Sequence, residues 1–245
     1  MTICFLTSSP TGSLDDSHVV IGLDESNHFV ENLRKFWPKN ASSLMISAFP
    51  EDESANDQMR TFFEEVTRDA GLSVNRFDLW DNRTKDTSLK ALLSYDVIWL
   101  GGGHVPTQNQ FFHRISLINH IKKFRGIVIG ISAGTMNAAE IVYAQPELDG
   151  EALDPDYQRF IPGLGLTKTN ILPHYQMVKD NDLDGMRLFE DITYKDSMNH
   201  RFLALVDGSY LLVKDGAETI YGEAYEIRDG VIKQICHSEE EIQLD

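Results

Sequence analysis

Apolar residues along this chain gather in short continuous runs, separated by stretches with helical spacing. Ile3-Cys4-Phe5-Leu6, Leu44-Met45-Ile46, residues 74–79, Val97-Ile98-Trp99-Leu100 and Gly126-Ile127-Val128-Ile129 each read as a strand. Phe29, Leu33 and Phe36 share one helical face, and Pro38 ends that helix. Met59, Phe62, Phe63 and Val66 stripe a helix over residues 57–70, closed by Gly71. Leu89, Leu92 and Leu93 predict a short helix, and residues 108–124 a longer one. The strand runs lack the polar alternation of a half-buried sheet, so both of their faces should be covered. That is the mark of a mostly parallel sheet between helices, an α/β fold whose ligands bind beyond the carboxyl ends of the strands.

The second half is less regular. Residues 145–159 are acidic and turn-rich and read as a surface loop. Residues 166–172 form a strand running into Pro173-His174-Tyr175, and residues 182–197 read as a helix with Leu183, Met186, Phe189 and Ile192 inward. From Phe202 onward short strands alternate with turns at Asp207-Gly208, Asp215-Gly216 and Asp229-Gly230, the last resembling a hairpin. With no internal repeat, low-complexity tract or linker, residues 1–245 are expected to form one domain.

Composition narrows the partners. A net charge of −16 disfavours a nucleic-acid backbone and an anionic membrane surface. Cys4 and Cys236 stand at opposite ends, too few and too far apart for a disulfide framework or a zinc site, and Cys4 reads as a core residue. Residues 1–8 carry no basic, apolar leader, and no segment reaches the ~20 apolar residues of a spanning helix. A cytoplasmic protein is expected.

The chemistry starts at Gly130-Ile131-Ser132-Ala133-Gly134, placed between an apolar strand and a helix-like stretch over residues 135–141. A serine between glycines at a strand–helix turn has the layout of a nucleophile elbow. Such a turn lifts the hydroxyl off the sheet and leaves the Ala133 N–H free to hold an oxyanion. Gly101-Gly102-Gly103 closes the preceding strand, so it should share the rim with Ser132. It lacks the Lys-Ser/Thr of a phosphate-binding loop. A serine needs a base, and of eight histidines His174 is the one that ends an apolar strand on that rim. His18, His28, His113, His120, His200 and His237 sit in polar or helical contexts, and His104 follows the glycine run. The third member should be a carboxylate. Gln176 cannot be one, while residues 145–159 offer Glu147, Asp149, Glu151, Asp154 and Asp156.

The glycine run, the Gly-x-Ser-Ala-Gly elbow and the Pro-His segment, in that order and over roughly residues 1–215, resemble the peptidase E family of serine peptidases. That resemblance implies a three-layer α/β sandwich similar to class I glutamine amidotransferases (flavodoxin-like). It further implies Ser132 as nucleophile, His174 as base, and Gly103 with Ala133 as oxyanion-hole amides. The family acid lies about fifteen residues after the serine, which points to Glu147, with Asp149 and Glu151 as alternatives. The family's Asn-Thr after the glycines is replaced by His104-Val105-Pro106, which marks His104 as a substrate-binding position, and its Asn-Pro-His reads Leu172-Pro173-His174. The implied substrate is a small peptide, with aspartyl dipeptides among the family's choices, and neither metal nor organic cofactor is required. Lys179 and Arg187 are candidate anchors for an acidic residue. A catalytically silent binding module on the same fold is the competing expectation, and both monomer and homodimer stay open.

Overall fold

The structure is a computed structural model that describes residues 1–14 and 19–244; His18 lies outside them. Five parallel strands form its centre: β1 (Thr2–Thr7), β2 (Ala41–Ile46), β3 (Val74–Trp80), β4 (Val97–Leu100) and β5 (Gly126–Ile131). The second half adds β6 (Asn170–Leu172), β7 (Arg201–Leu205), β8 (Tyr210–Lys214), β9 (Ala217–Tyr221), β10 (Ala224–Arg228), β11 (Val231–Cys236) and β12 (Glu241–Gln243). The central sheet runs β3–β2–β4–β5–β1 in parallel and continues antiparallel through β8, β9 and β12. A separate sheet has the order β6–β7–β10–β11, in which only β6 and β7 are parallel.

The continuous apolar runs have the predicted cause. Along β1, Ile3 and Phe5 share a core with Trp99 and Ile129, while Cys4 and Leu6 point the other way to join Ile98 and Val128. Helices α1 (Phe29–Phe36) and α2 (Glu53–Asp69) close the first face through Phe29, Leu33, Phe63 and Val66. After α3 (Leu89–Leu92), helices α4 (Val105–Arg114) and α5 (Leu117–His120) close the second through Phe111, Phe112 and Leu117. This is the three-layer α/β sandwich expected. A third core packs Met136, Tyr143, Leu172, Phe189 and Phe202 between the elbow and the smaller sheet. Burial pushes the Cys4 thiol up to about 12, so it is an inert core residue.

Three local expectations fail. The helix over residues 108–124 begins earlier, at Val105 with Pro106 in its first turn, and breaks after Arg114, where Ser116 turns left-handed at φ 57°. The helix over residues 182–197 is a small ribbon first. Asp182–Leu183 pairs with Met186–Arg187 around Asp184 (φ 54°) and Gly185 (φ 79°), and helical turns start only at Leu188. The helix after Ser132, α6 (Ala133–Met136), is a single turn, and Ile141–Tyr143 is a strand. Among the described residues no helix is long and apolar enough to cross a membrane.

Candidate active site

Ser132 stands at φ 48°, ψ −110°, a backbone setting that typically stores about 1–3 kcal/mol of strain in a non-glycine residue. The surroundings hold it there. Its N–H donates to the Thr7 carbonyl (3.3 Å), which also accepts from Thr135 Oγ1 (2.8 Å), while Thr7 Oγ1 donates to the Gly130 carbonyl (2.7 Å). Both motif glycines are required by close approach. A Cβ on Gly130 would meet Thr135 Cα at 2.8 Å, and one on Gly134 would strike the Leu100 carbonyl.

His174 follows the last residue of β6 by two positions and takes a left-handed φ of 58°. Its Nε2 lies 2.9 Å from Ser132 Oγ, and its Nδ1 lies 2.7 Å from Asp207 Oδ1. With Nδ1–H donated to the carboxylate, Nε2 is free to accept the serine proton. Asp207 sits in the turn after β7. Because β6 and β7 run parallel with Leu172 opposite Ala204, the two chains deliver His174 and Asp207 to the same end. Ser8, one residue beyond β1, joins them: its hydroxyl accepts from the His174 N–H (2.7 Å) and donates to Asp207 Oδ1 (2.7 Å). Gln176 Nε2 donates to Asp207 Oδ2 (2.7 Å), and the Asp207 N–H donates back to Gln176 Oε1 (3.1 Å). Burial pushes the Asp207 carboxyl up, but the hydrogen bond and charge of His174, with the bonds from Ser8 and Gln176, outweigh it and hold it below the usual range.

The carboxylate at His174 is therefore Asp207 and not Glu147, Asp149 or Glu151. Glu151 is committed elsewhere. Its Oε2 accepts from the N–H groups of Glu147 (2.8 Å) and Leu148 (3.0 Å), and its Oε1 meets His104 Nε2 at 2.9 Å. Asp149 is exposed on the loop. The Glu147 side chain reaches the same cavity as Ser132, where partial desolvation leads the causes that push its carboxyl up, with Glu151 adding to the rise and His104 and His174 opposing it. His104 does not line that cavity; Nδ1 is taken by Thr107 Oγ1 (2.8 Å) and Nε2 by Glu151.

Gly103 and Ala133 flank Ser132, and among the described residues neither N–H finds an acceptor. A Cβ on Gly103 would sit 2.6 Å from the Phe49 ring. Three buried amides keep the glycine loop against the elbow. Gln108 Nε2 donates to the Gly101 carbonyl (2.7 Å). Asn137 Nδ2 donates to Gln108 Oε1 (3.1 Å) and the Val105 carbonyl (3.1 Å), and Asn137 Oδ1 accepts from Asn109 Nδ2 (2.9 Å). The sequence reading assigns no site role to this network, Ser8, Gln176 or Asp207. Only Asp207 carried a usable signal, as an acid directly after the apolar run Phe202-Leu203-Ala204-Leu205-Val206.

The cavity holds about 150 Å³ and is lined by Ser132, His174, Gly103, Pro146, Glu147 and Leu183 among others. Neither proposed anchor for an acidic residue reaches it. Lys179 is exposed beyond the cavity wall, and Arg187 is paired with Asp191 at 3.0 Å.

The family model described as Peptidase family S51 matches residues 20–221. A peptidase from an acI-B1 Actinobacterium superposes with a TM-score of 0.67 at 14% identity, over 99% of this chain and 96% of that one. A putative peptidase E protein from Listeria monocytogenes EGD-e gives 0.56 at 18% identity, over 96% and 99%. At these identities the two structures speak for the fold. No curated protein matches the sequence.

Proposed function

The chain belongs to peptidase family S51, the serine-type peptidases its motifs resemble, and from that premise we propose that it hydrolyses short peptides through an acyl-enzyme on Ser132. The observation that carries this reading is the continuous chain of hydrogen bonds from Ser132 Oγ through His174 to Asp207, 2.9 and 2.7 Å long. His174 Nε2 takes the hydroxyl proton as Ser132 attacks the scissile carbonyl. The N–H groups of Gly103 and Ala133 receive the developing oxyanion, where one such donor is worth about 10²–10³ in rate. His174 then gives its proton to the leaving amine, and a water, activated by the same imidazole, releases the acyl group. Asp207 keeps the imidazole in the tautomer that accepts at Nε2 and stabilises the imidazolium between these steps. A cavity of about 150 Å³ is well below the ~300–1,000 Å³ of pockets for drug-sized ligands, which suits one or two residues of a peptide.

Two measurements test the reading. A fluorophosphonate probe should label the wild-type protein at Ser132, and Ser132→Ala should lose the label together with about 10³–10⁶ of its kcat. Absence of labelling in a folded wild-type protein, or full turnover in the variant, would dispose of it.

A further inference from the structure

The walls of the Ser132 cavity have a charge that the catalytic chain does not explain. Val105, Met136, Val178 and Leu183 make its sides apolar, while Glu147 and Asp182 supply carboxylates. Among the described residues no lysine or arginine lines it. Glu147 is also held in place from behind. Glu151 clasps the Glu147 N–H at 2.8 Å and is itself fastened to His104 at 2.9 Å, so the backbone at Glu147 is pinned. Glu147 is exposed at the edge of the cavity it lines, and among the described residues its carboxylate accepts no hydrogen bond and forms no ion pair, so it is free to meet a ligand.

We propose that Glu147 is the specificity determinant of this cavity and pairs with a cationic group on the residue that supplies the scissile carbonyl. The inference rests on the peptidase reading above and adds the substrate class to it. A cavity with apolar sides and a carboxylate matches an aliphatic stem that ends in a charge. An aspartyl side chain in the same place would face Glu147 and Asp182 with no cation to meet it, a repulsion that selects against it. An ammonium or guanidinium can come from a lysyl or arginyl side chain or from a free α-amine, and the substrates can tell these apart.

The test compares anilides of acetyl-lysine, acetyl-norleucine, free norleucine and free aspartate. Acetyl-lysyl or free norleucyl substrate should exceed acetyl-norleucyl by at least about tenfold in kcat/KM, and the one that does so identifies the source of the charge. Glu147→Gln should bring that ratio to within about twofold, chiefly through KM. Faster hydrolysis of the aspartyl than of the free norleucyl anilide, or an equal ratio in Glu147→Gln, overturns the proposal. Calorimetric binding of lysinamide, acetyl-lysinamide and acetyl-norleucinamide to Ser132→Ala separates the two readings. Cation-selective binding without any turnover of these substrates by wild type sinks the peptidase mechanism and keeps the pocket. Turnover without cation-selective binding sinks the pocket alone.

Discussion

The turn between β7 and β8 and the loop over residues 145–159 each bring an acid to the cavity around Ser132, the first Asp207 at His174 and the second, of its five carboxylates, Glu147 alone in the cavity lining. The loop lies closer in sequence to the serine, yet the turn supplies the partner of His174. The difference lies in what each segment hangs from. Asp207 leaves a strand hydrogen-bonded in parallel to the one that carries His174, so the sheet itself sets their separation. Glu147 leaves the short strand Ile141–Tyr143, whose partner is Phe160–Pro162 and which pairs with neither. Three hydrogen bonds converge on the Asp207 carboxylate, and none reaches that of Glu147 among the described residues. The two acids are accordingly pushed in opposite directions, Asp207 down and Glu147 up.

Exchanging charge for amide in the two segments should break this symmetry most sharply. Asp207→Asn is expected to lower kcat by about 10³–10⁴, because the imidazole loses its orienting anion and the serine loses its base. Glu147→Gln should cost no more than about tenfold in kcat, with the larger change in KM. Steady-state kinetics on both variants decides, and the reverse ranking would return the triad to the loop. A smaller effect is expected at Gln176→Leu, which removes both bonds between Gln176 and Asp207. The loss should be about tenfold in kcat, the worth of ~1.4 kcal/mol, with KM nearly constant. An unchanged kcat would mean that Ser8 and His174 suffice to aim the carboxylate.

The finest contrast is in titration. Carboxyl NMR signals should place Asp207 below the ordinary ~3.9 of an aspartate and Glu147 above the ~4.3 of a glutamate. The signs for stability are then opposite. Asp207, depressed in the folded state, contributes stability that is fully present above ~3.9 and is lost as pH falls through its lower folded value. Glu147, raised in the folded state, imposes a stability cost that develops as pH rises from ~4.3 through its higher value. Midpoints in the reverse order would contradict the hydrogen bonding described.

Much of this was legible in the residues. Continuous apolar strands announce a sheet covered on both faces, and the Gly-x-Ser-x-Gly turn locates Ser132 because Gly130 answers to Thr135 within the same strand–turn–helix unit and Gly134 to the Leu100 carbonyl at the end of the adjacent strand. His174 was readable for a similar reason, as the end of an apolar strand. Asp207 reads in the sequence only as part of a turn, since its role depends on the pairing of β6 with β7 across an interval of some thirty residues, which no local pattern reports. Residues 182–197 failed differently. Leu183 and Met186 keep helical spacing with Phe189 and Ile192, but Asp184 and Gly185 take positive φ and turn the chain before the helix can begin.

Ser8 touches both the His174 backbone and the Asp207 carboxylate, across 166 and 199 residues of chain. During synthesis the N-terminal strand is made long before its partners, so Ser132 has neither imidazole nor carboxylate beside it until residues up to 207 have emerged and folded against the first half of the chain. A nascent chain of this protein is thus a peptidase that cannot yet cut. Competence arrives late, with the closure of loops that span most of the chain.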